Sequence, residues 1–234
     1  MSDIQLRSDF TVELLQHMGT DEFLCKAARV STQGSASLSS EESEGLIRFL
    51  MSNRHGTPFE HAAFTFLIEA PIFVWREFMR HRIGFSYNEQ SGRYMEMLPI
   101  FYVPPSSREM VQVGKPGHYT FEPGTHEQWE ICVDSLGGAY DQAWYNYQHM
   151  LNFGIAKEVA RMCLPVATYS SCYVTMNPRS LMSFLSLRTK HEGSLFPSFP
   201  MKEINEVADQ LEAKFAELFP ITHNAFQQSR RVAP

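Results

Sequence analysis

Residues 80–96, RHRIGFSYNEQSGRYME, gather more hydrogen-bonding groups than a surface turn needs. Arg80, His81 and Arg82 close an otherwise apolar segment, PIFVWREFM, and Asn88, Glu89, Ser91 and Arg93 follow at once. Guanidinium forks suit phosphates and carboxylates, while an amide, a hydroxyl and a carboxylate orient neutral polar ligands. Consecutive helical residues point about 100° apart. A helical Arg80–His81–Arg82 triplet would therefore fan over more than half the circumference and could not grip one ligand. Either the helix ends there, or ligands approach from several sides, as at a subunit interface. The bland alternative is a set of cations gathered at a helix C-terminus by its dipole.

Arg188 is the second chemical signal. It lies seven residues after Leu181 and four after Phe184, so a helix puts all three on one apolar face. Arg179, Ser183 and Ser186 form a separate polar stripe. An arginine facing a core requires an anion or a full set of acceptors. A buried Glu, a phosphate or an acidic heterocycle edge would each serve. Arg161, in KEVARMCLP, reads by default as a cation near a helix C-terminus.

HGTPFEH (55–61) sets two imidazoles and a carboxylate around Pro58. The spacing is not HExxH and no third ligand follows, so a capped turn with hydrogen-bonded histidines is the favoured reading and no metal is expected. Neither GxGxxG nor a Walker A loop occurs, which leaves side chains and helix ends to hold any nucleotide phosphate. No Cys has a neighbouring His, so thiolate catalysis has no local support.

These groups need a scaffold, and 234 residues with 44% hydrophobic content can supply a sizeable core. A net charge of −6 argues against a general DNA or RNA binder, which needs a basic face, but leaves room for a small anionic ligand. Four scattered cysteines without a CxxC pair fit reduced thiols. With no basic-then-apolar leader and no apolar run near the roughly 18 residues of a membrane span, the expected location is the cytoplasm, away from membranes.

STQGSASLSSEESE (31–44) reads as a small-residue loop running into a capping box, Ser39 with Glu42, and a helix bearing Leu46, Ile47 and Leu50. FTFLIEA alternates as a strand. Pro71 opens a helix expected through about Arg82. Residues 99–125, rich in proline, predict a long loop with one short strand at FYV. Helical periodicity runs from His126 to about Cys163, with Gly137-Gly138 and Gly154 able to bend or break it. VATYSSCYVTM (166–176) is a second strand, Asn177 caps a helix from Pro178 to about Thr189, and a last helix covers about 201–218. The fold class is α+β, in one domain, without βαβ alternation.

Taken together, these stretches resemble the flavin-dependent thymidylate synthases. The resemblance runs from AARVS (27–31) to LSLRT (185–189), and centres on RHRIGFSYNEQS, an RHR triplet separated from Ser91 by eight intervening residues. HGTPFEHAAFTF, EVAR and NPRSLMSFLSLR match the other family blocks in order and spacing. The family implies a mainly antiparallel central sheet flanked by long helices, assembled as a homotetramer with active sites between subunits. That arrangement would accommodate the fan of the RHR triplet.

By position, the resemblance implies FAD contacts from His55, Thr57, Glu60, Arg80, His81, Arg82, Ile83, Asn88, Glu89, Asn177, Arg179 and Ser183. It implies dUMP contacts from Glu77, Glu89, Ser91, Gly92, Arg93, Arg161 and Arg188. Arg188, Ser91 and His55 are the implied catalytic residues, Ser91 by positioning substrate. The implied reaction takes dUMP, 5,10-methylenetetrahydrofolate and NADPH to dTMP and tetrahydrofolate through FAD, without a cysteine nucleophile. Ser183 departs from the Asn or His common in the family, and Glu192 stands where His is frequent. Rival readings are a nucleotide-binding protein without catalysis, a flavin-dependent NADPH oxidase and a cysteine-dependent thymidylate synthase.

Overall fold

The computed structural model describes residues 4–30, 39–115 and 118–234. Most of the small-residue loop expected at 31–44, along with Ser31 of the AARVS block, lies outside the described residues. In chain order the elements are β1 (Gln5–Arg7), β2 (Thr11–Met18), α1 (Asp21–Arg29), α2 (Ser40–Ser52), β3 (Ala63–Pro71), α3 (Ile72–Phe78), β4 (Phe85–Glu89) and β5 (Ile100–Tyr102). They continue with β6 (Glu109–Lys115), β7 (His118–Pro123), α4 (His126–Asn152), α5 (Lys157–Ala160), β8 (Tyr169–Met176), α6 (Pro178–Arg188), α7 (Lys202–Leu218) and α8 (Pro220–Gln228).

The result is an α+β chain with a four-stranded sheet of order β2-β3-β8-β4, in which β2–β3 and β4–β8 are antiparallel pairs. The chain forms two compact units, one of residues 1–9, 70–73 and 90–170, the other of residues 10–69, 74–89 and 171–234. No helix among the described residues is long and apolar enough to cross a membrane.

In the second unit the alternation of β3 sends Phe64, Phe66 and Ile68 to the interior. Phe64 meets Phe215 and Phe219, the end of α7, edge-on at ring-centroid distances of 6.0 and 5.2 Å. The Ser39 capping box starts α2 as expected, with Ile47 and Leu50 turned inward. Asn177 caps α6 through its side chain, which accepts from the Ser180 amide at 2.8 Å.

The first unit is built around α4. Its Tyr140 stacks on Phe101 of β5 and donates to the Tyr102 carbonyl at 2.9 Å. Tyr147 packs with Met97 and Ala160 and accepts from the Met97 amide at 3.0 Å.

Several expectations need correction. α3 begins after Pro71 and stops at Phe78, so the RHR triplet is not helical. Residues 99–125 hold a β6–β7 hairpin besides the short strand at Ile100–Tyr102. Val111 and Val113, on either side of exposed Gln112, carried that signal, which the nearby prolines obscured. α4 passes intact through Gly137-Gly138 and ends before Gly154, whose φ of +76° lies in the left-handed region. The sequence reading missed β1, β2, β4, α1 and α8. Strand β2 was hidden because it alternates weakly, and its Met18 remains exposed.

Candidate functional site

Because α3 ends at Phe78, the chain turns there: the amides of Met79, Arg80 and His81 bond back to Trp75, Glu77 and Phe78 carbonyls. The turn is fastened from β4. The Tyr87 hydroxyl reaches the carbonyls of His81 (2.7 Å) and Phe78 (3.1 Å), and burial holds its proton far above neutral pH. Under the turn lies an aromatic floor. Phe78 and Phe184 sit 4.4 Å apart, and His81 meets Phe184 edge-on at 4.8 Å.

Arg188 arrives at this floor from the end of α6. Its Nη1 pairs with Glu77 Oε2 at 2.7 Å, its Nη2 donates to the Glu77 carbonyl at 3.2 Å, and its Nε donates to His81 Nε2 at 3.0 Å. The anion that the sequence demanded is therefore a Glu within the same unit. These three bonds fix the guanidinium plane, and the side chain retains 17% exposure. An arginine so held offers its outer edge to a ligand without further ordering.

His81 accepts a hydrogen bond at Nε2, so its proton sits on Nδ1. Burial, with Arg188 and then Arg80 beside it, pushes its pKa down to about 4, and the imidazole is neutral at physiological pH. A histidine pKa below its unfolded value means that stability is full above about pH 6.5 and drains as pH falls towards 4. An NMR titration should find the His81 ring neutral down to about pH 5. A midpoint at the ordinary value near 6.5 would contradict the burial.

Two adjoining cavities open on this unit. The larger, about 650 Å³, is lined by Glu60, Ile83, Asn177, Arg179 and Ser183 among the anticipated residues, and by Arg54, Arg231 and the 232–234 segment, which sequence reasoning missed. The smaller, about 320 Å³, is lined by Arg80, His81, Arg82 and Ile83, and shares Ser180 and Ser183 with the first. His55 precedes, and Thr57 opens, the Thr57–Glu60 turn that carries Glu60 to the larger cavity, but neither lines either cavity, nor do Asn88 and Glu89 of β4.

Arg179 is clamped by Glu60 (2.5 Å) and the Pro234 carbonyl (2.8 Å). Gly56 and Gly84 make the close approaches possible: a Cβ on Gly56 would collide with the Arg179 guanidinium, and one on Gly84 with Ser180 Oγ. Gly84 also has φ +70°. Gly84→Ala should therefore lower stability by about 1–3 kcal/mol in thermal melts, from the left-handed backbone and the collision together. An unchanged melting temperature would show that the wall has more room.

In the first unit, a turn at 91–95 is closed by the Tyr94 and Met95 amides bonding to the Ser91 carbonyl (3.0 and 3.2 Å). Ser91 Oγ accepts from the Arg93 amide at 3.3 Å. Gly92 is buried against Met97 and Arg161, where any side chain would collide with Met97 Sδ. Arg93 pairs with Glu158 at 2.9 Å, and Arg161 remains exposed beyond α5. The turn thus brings Ser91, Gly92, Arg93 and Arg161 together. Among the described residues no cluster of His, Cys, Asp and Glu is arranged to hold a metal.

A size of several hundred Å³ suits a cofactor. The donors on the larger cavity's wall, three guanidiniums, an amide and serine hydroxyls, suit a phosphorylated one. Phe85 and the neutral His81, both on the wall of the smaller cavity, suit a planar ring. The residues present therefore fit a flavin dinucleotide.

Comparison with known proteins points the same way. The family model described as thymidylate synthase complementing protein matches residues 13–221. The chain is 54% identical to the flavin-dependent thymidylate synthase of Streptomyces coelicolor, covering 99% of this chain and 96% of that one. It is 50% identical to the protein of the same description from Tropheryma whipplei, covering 97% and 96%. Among solved structures, the UMP/dUMP methylase PolB from Streptomyces cacaoi, bound with 5-bromo-dUMP, superposes with a TM-score of 0.94 at 48% identity, covering 99% of this chain and all of that one.

Proposed function

Since the chain belongs to the flavin-dependent thymidylate synthase family, whose members are methyl-transferring enzymes, we propose that it converts dUMP to dTMP in the cytoplasm. In this reading 5,10-methylenetetrahydrofolate supplies the one-carbon unit, NADPH is the reductant, and FAD is the bound cofactor. The active enzyme is a homotetramer with its active sites between subunits. The observation that carries the reading is the convergence of Glu60, Ile83, Asn177, Arg179 and Ser183 on one cavity, with the RHR triplet lining the next.

When bound, FAD would supply the redox chemistry, a route for hydride from NADPH to the methyl group. The chain's own residues bind and orient. Arg179, Asn177 and Ser183 offer donors to the cofactor's phosphates and hydroxyls, with Glu60 fixing the Arg179 fork. Arg80 and Arg82, on either side of His81, add positive charge, while Ile83 and Phe85 exclude water from the ring. His55, Thr57, Asn88 and Glu89 complete the cofactor contacts in this reading.

The dUMP phosphate falls to Arg93, Arg161 and the Ser91–Gly92 turn, which supply guanidinium and hydroxyl donors. Arg188, held by Glu77 and His81, faces the pyrimidine edge and stabilises the negative charge that develops as the ring is activated. Ser91 positions substrate rather than attacking it, because its hydroxyl accepts from the Arg93 amide and no base among the described residues is hydrogen-bonded to it.

A cysteine nucleophile has little to recommend it. Burial raises the pKa of Cys25 and Cys163 and pushes that of Cys172 up to about 12. Cys163 Sγ is occupied with the Ala143 and Ala160 carbonyls. Cys163→Ala should keep forming dTMP at a rate within about threefold of the parent, since no transition-state contact is removed. The proposal as a whole is tested by product analysis: purified protein given dUMP, the folate and NADPH should yield dTMP with FAD and none without it. NADPH consumption that needs no dUMP and makes no dTMP would identify an oxidase instead.

A further inference from the structure

The larger cavity has more positive charge on its wall than the assigned residues account for. Arg179 is balanced by Glu60 at 2.5 Å, and Arg231 by Glu212 at 2.7 Å. Arg54 also lines the cavity, and its described partner is a neutral one, the Ala233 carbonyl, 3.2 Å from Nη2. No carboxylate among the described residues lies within ion-pair distance of it. Its position is imposed by the backbone. Arg54 has φ +57° because it ends α2 in a left-handed C-cap, with Arg54 N bonded to Met51 O (3.2 Å) and His55 N to Leu50 O (2.9 Å). The cap fixes the backbone that carries this guanidinium to a neutral carbonyl on the cavity wall, where a charged acceptor would be the stronger partner.

We propose that Arg54 is a further cofactor-binding residue, which grips the diphosphate of the flavin dinucleotide together with Arg179. This rests on the proposed function, because the ligand chemistry is taken from it. The Ala233 carbonyl and a Pro234 oxygen hold the two guanidiniums at neighbouring points on the wall. A diphosphate entering there offers Arg54 a charged acceptor, which outcompetes the neutral Ala233 carbonyl for its guanidinium. The 232–234 segment then forms the outer lip of the cofactor site.

The test is equilibrium flavin binding to the full chain, followed by flavin fluorescence, for the parent, Arg54→Gln and Arg54→Lys, with FAD and riboflavin as probes. Arg54→Gln should weaken FAD about tenfold or more, the scale of one charge-assisted hydrogen bond. It should leave riboflavin, which lacks phosphate, unchanged and flatten the salt dependence of FAD binding. Arg54→Lys should recover part of the loss. Unchanged FAD affinity in Arg54→Gln overturns the proposal. So does an equal loss of FAD and riboflavin, which would mark a collapsed wall, or FAD loss with a lowered melting temperature that Arg54→Lys fails to recover. Failure of the parent itself to bind FAD would remove the proposed function, and this proposal with it, before any variant is compared.

Discussion

Arg188→Ala is expected to fold and take up FAD, yet lose about 10²–10³ in kcat/KM for dUMP, the range seen when one preorganised donor to a developing negative charge is removed. The arrangement explains the size of the effect. Glu77, through both its carboxylate and its carbonyl, and His81 Nε2 fix three of the guanidinium's nitrogens, so no ordering is left for the moment of reaction. A lysine cannot reproduce that fork, and Arg188→Lys should recover only a small part. Removal also leaves the Glu77 carboxylate without its cation, at a cost in stability of about 1–3 kcal/mol that a melt will register. The decisive readout is dUMP affinity in the presence of FAD. Undiminished binding would remove Arg188 from the substrate.

The largest effect on stability should come from a pair that the chemistry does not use. Arg231 is 2% exposed and makes a bidentate pair with Glu212, both bonds at 2.7 Å, while its Nη2 also reaches Thr189 Oγ1 at 2.7 Å. His223 and Gln227 add bonds to the same carboxylate. Removing one partner of such a pair strands the other charge, which costs about 3–5 kcal/mol. Glu212→Ala should therefore fall by that much in denaturant melts. A double change of both residues to apolar side chains should fall by less.

The same pair sets a pH signature. Burial alone would raise the Glu212 pKa, but Arg231 and His223 hold it down to about 2. A carboxylate held below its unfolded value contributes stability above about pH 4.5 and loses it as pH drops towards 2. Glu212→Gln should flatten that part of the acid-unfolding curve. An unchanged slope would place the acid sensitivity elsewhere.

How far these features could be read from sequence depends on the distance over which each is specified. The capping box at Ser39, the Asn177-Pro178 start of α6 and the alternation of β3 are local, and each stands where expected. Arg188 was legible because helical spacing put it on the face of Leu181 and Phe184, and a cation there must have a partner. Which partner could not be read: Glu77 lies 111 residues away. Arg231 and Glu212 left no sign in QQSRRVAP or in the amphipathic pattern of α7, since their pairing depends on Arg230 and Arg231 both adopting positive φ to turn the chain back. Arg54 was hidden for the same reason. A left-handed arginine before HGTPFEH looks like any surface residue until the cavity is seen. The β6–β7 hairpin was lost to the prolines around it, although its own residues alternate.

The central claim, that this chain holds a flavin which passes reducing equivalents to a methyl group on dUMP, is tested most directly by the visible spectrum. Purified protein with FAD and dUMP, under anaerobic conditions, should show oxidised flavin absorbance that bleaches on NADPH. The absorbance should recover when 5,10-methylenetetrahydrofolate is added, with dTMP appearing in step. Bleached flavin that stays reduced in the presence of the folate and dUMP, or a protein that takes up no FAD, would contradict the account.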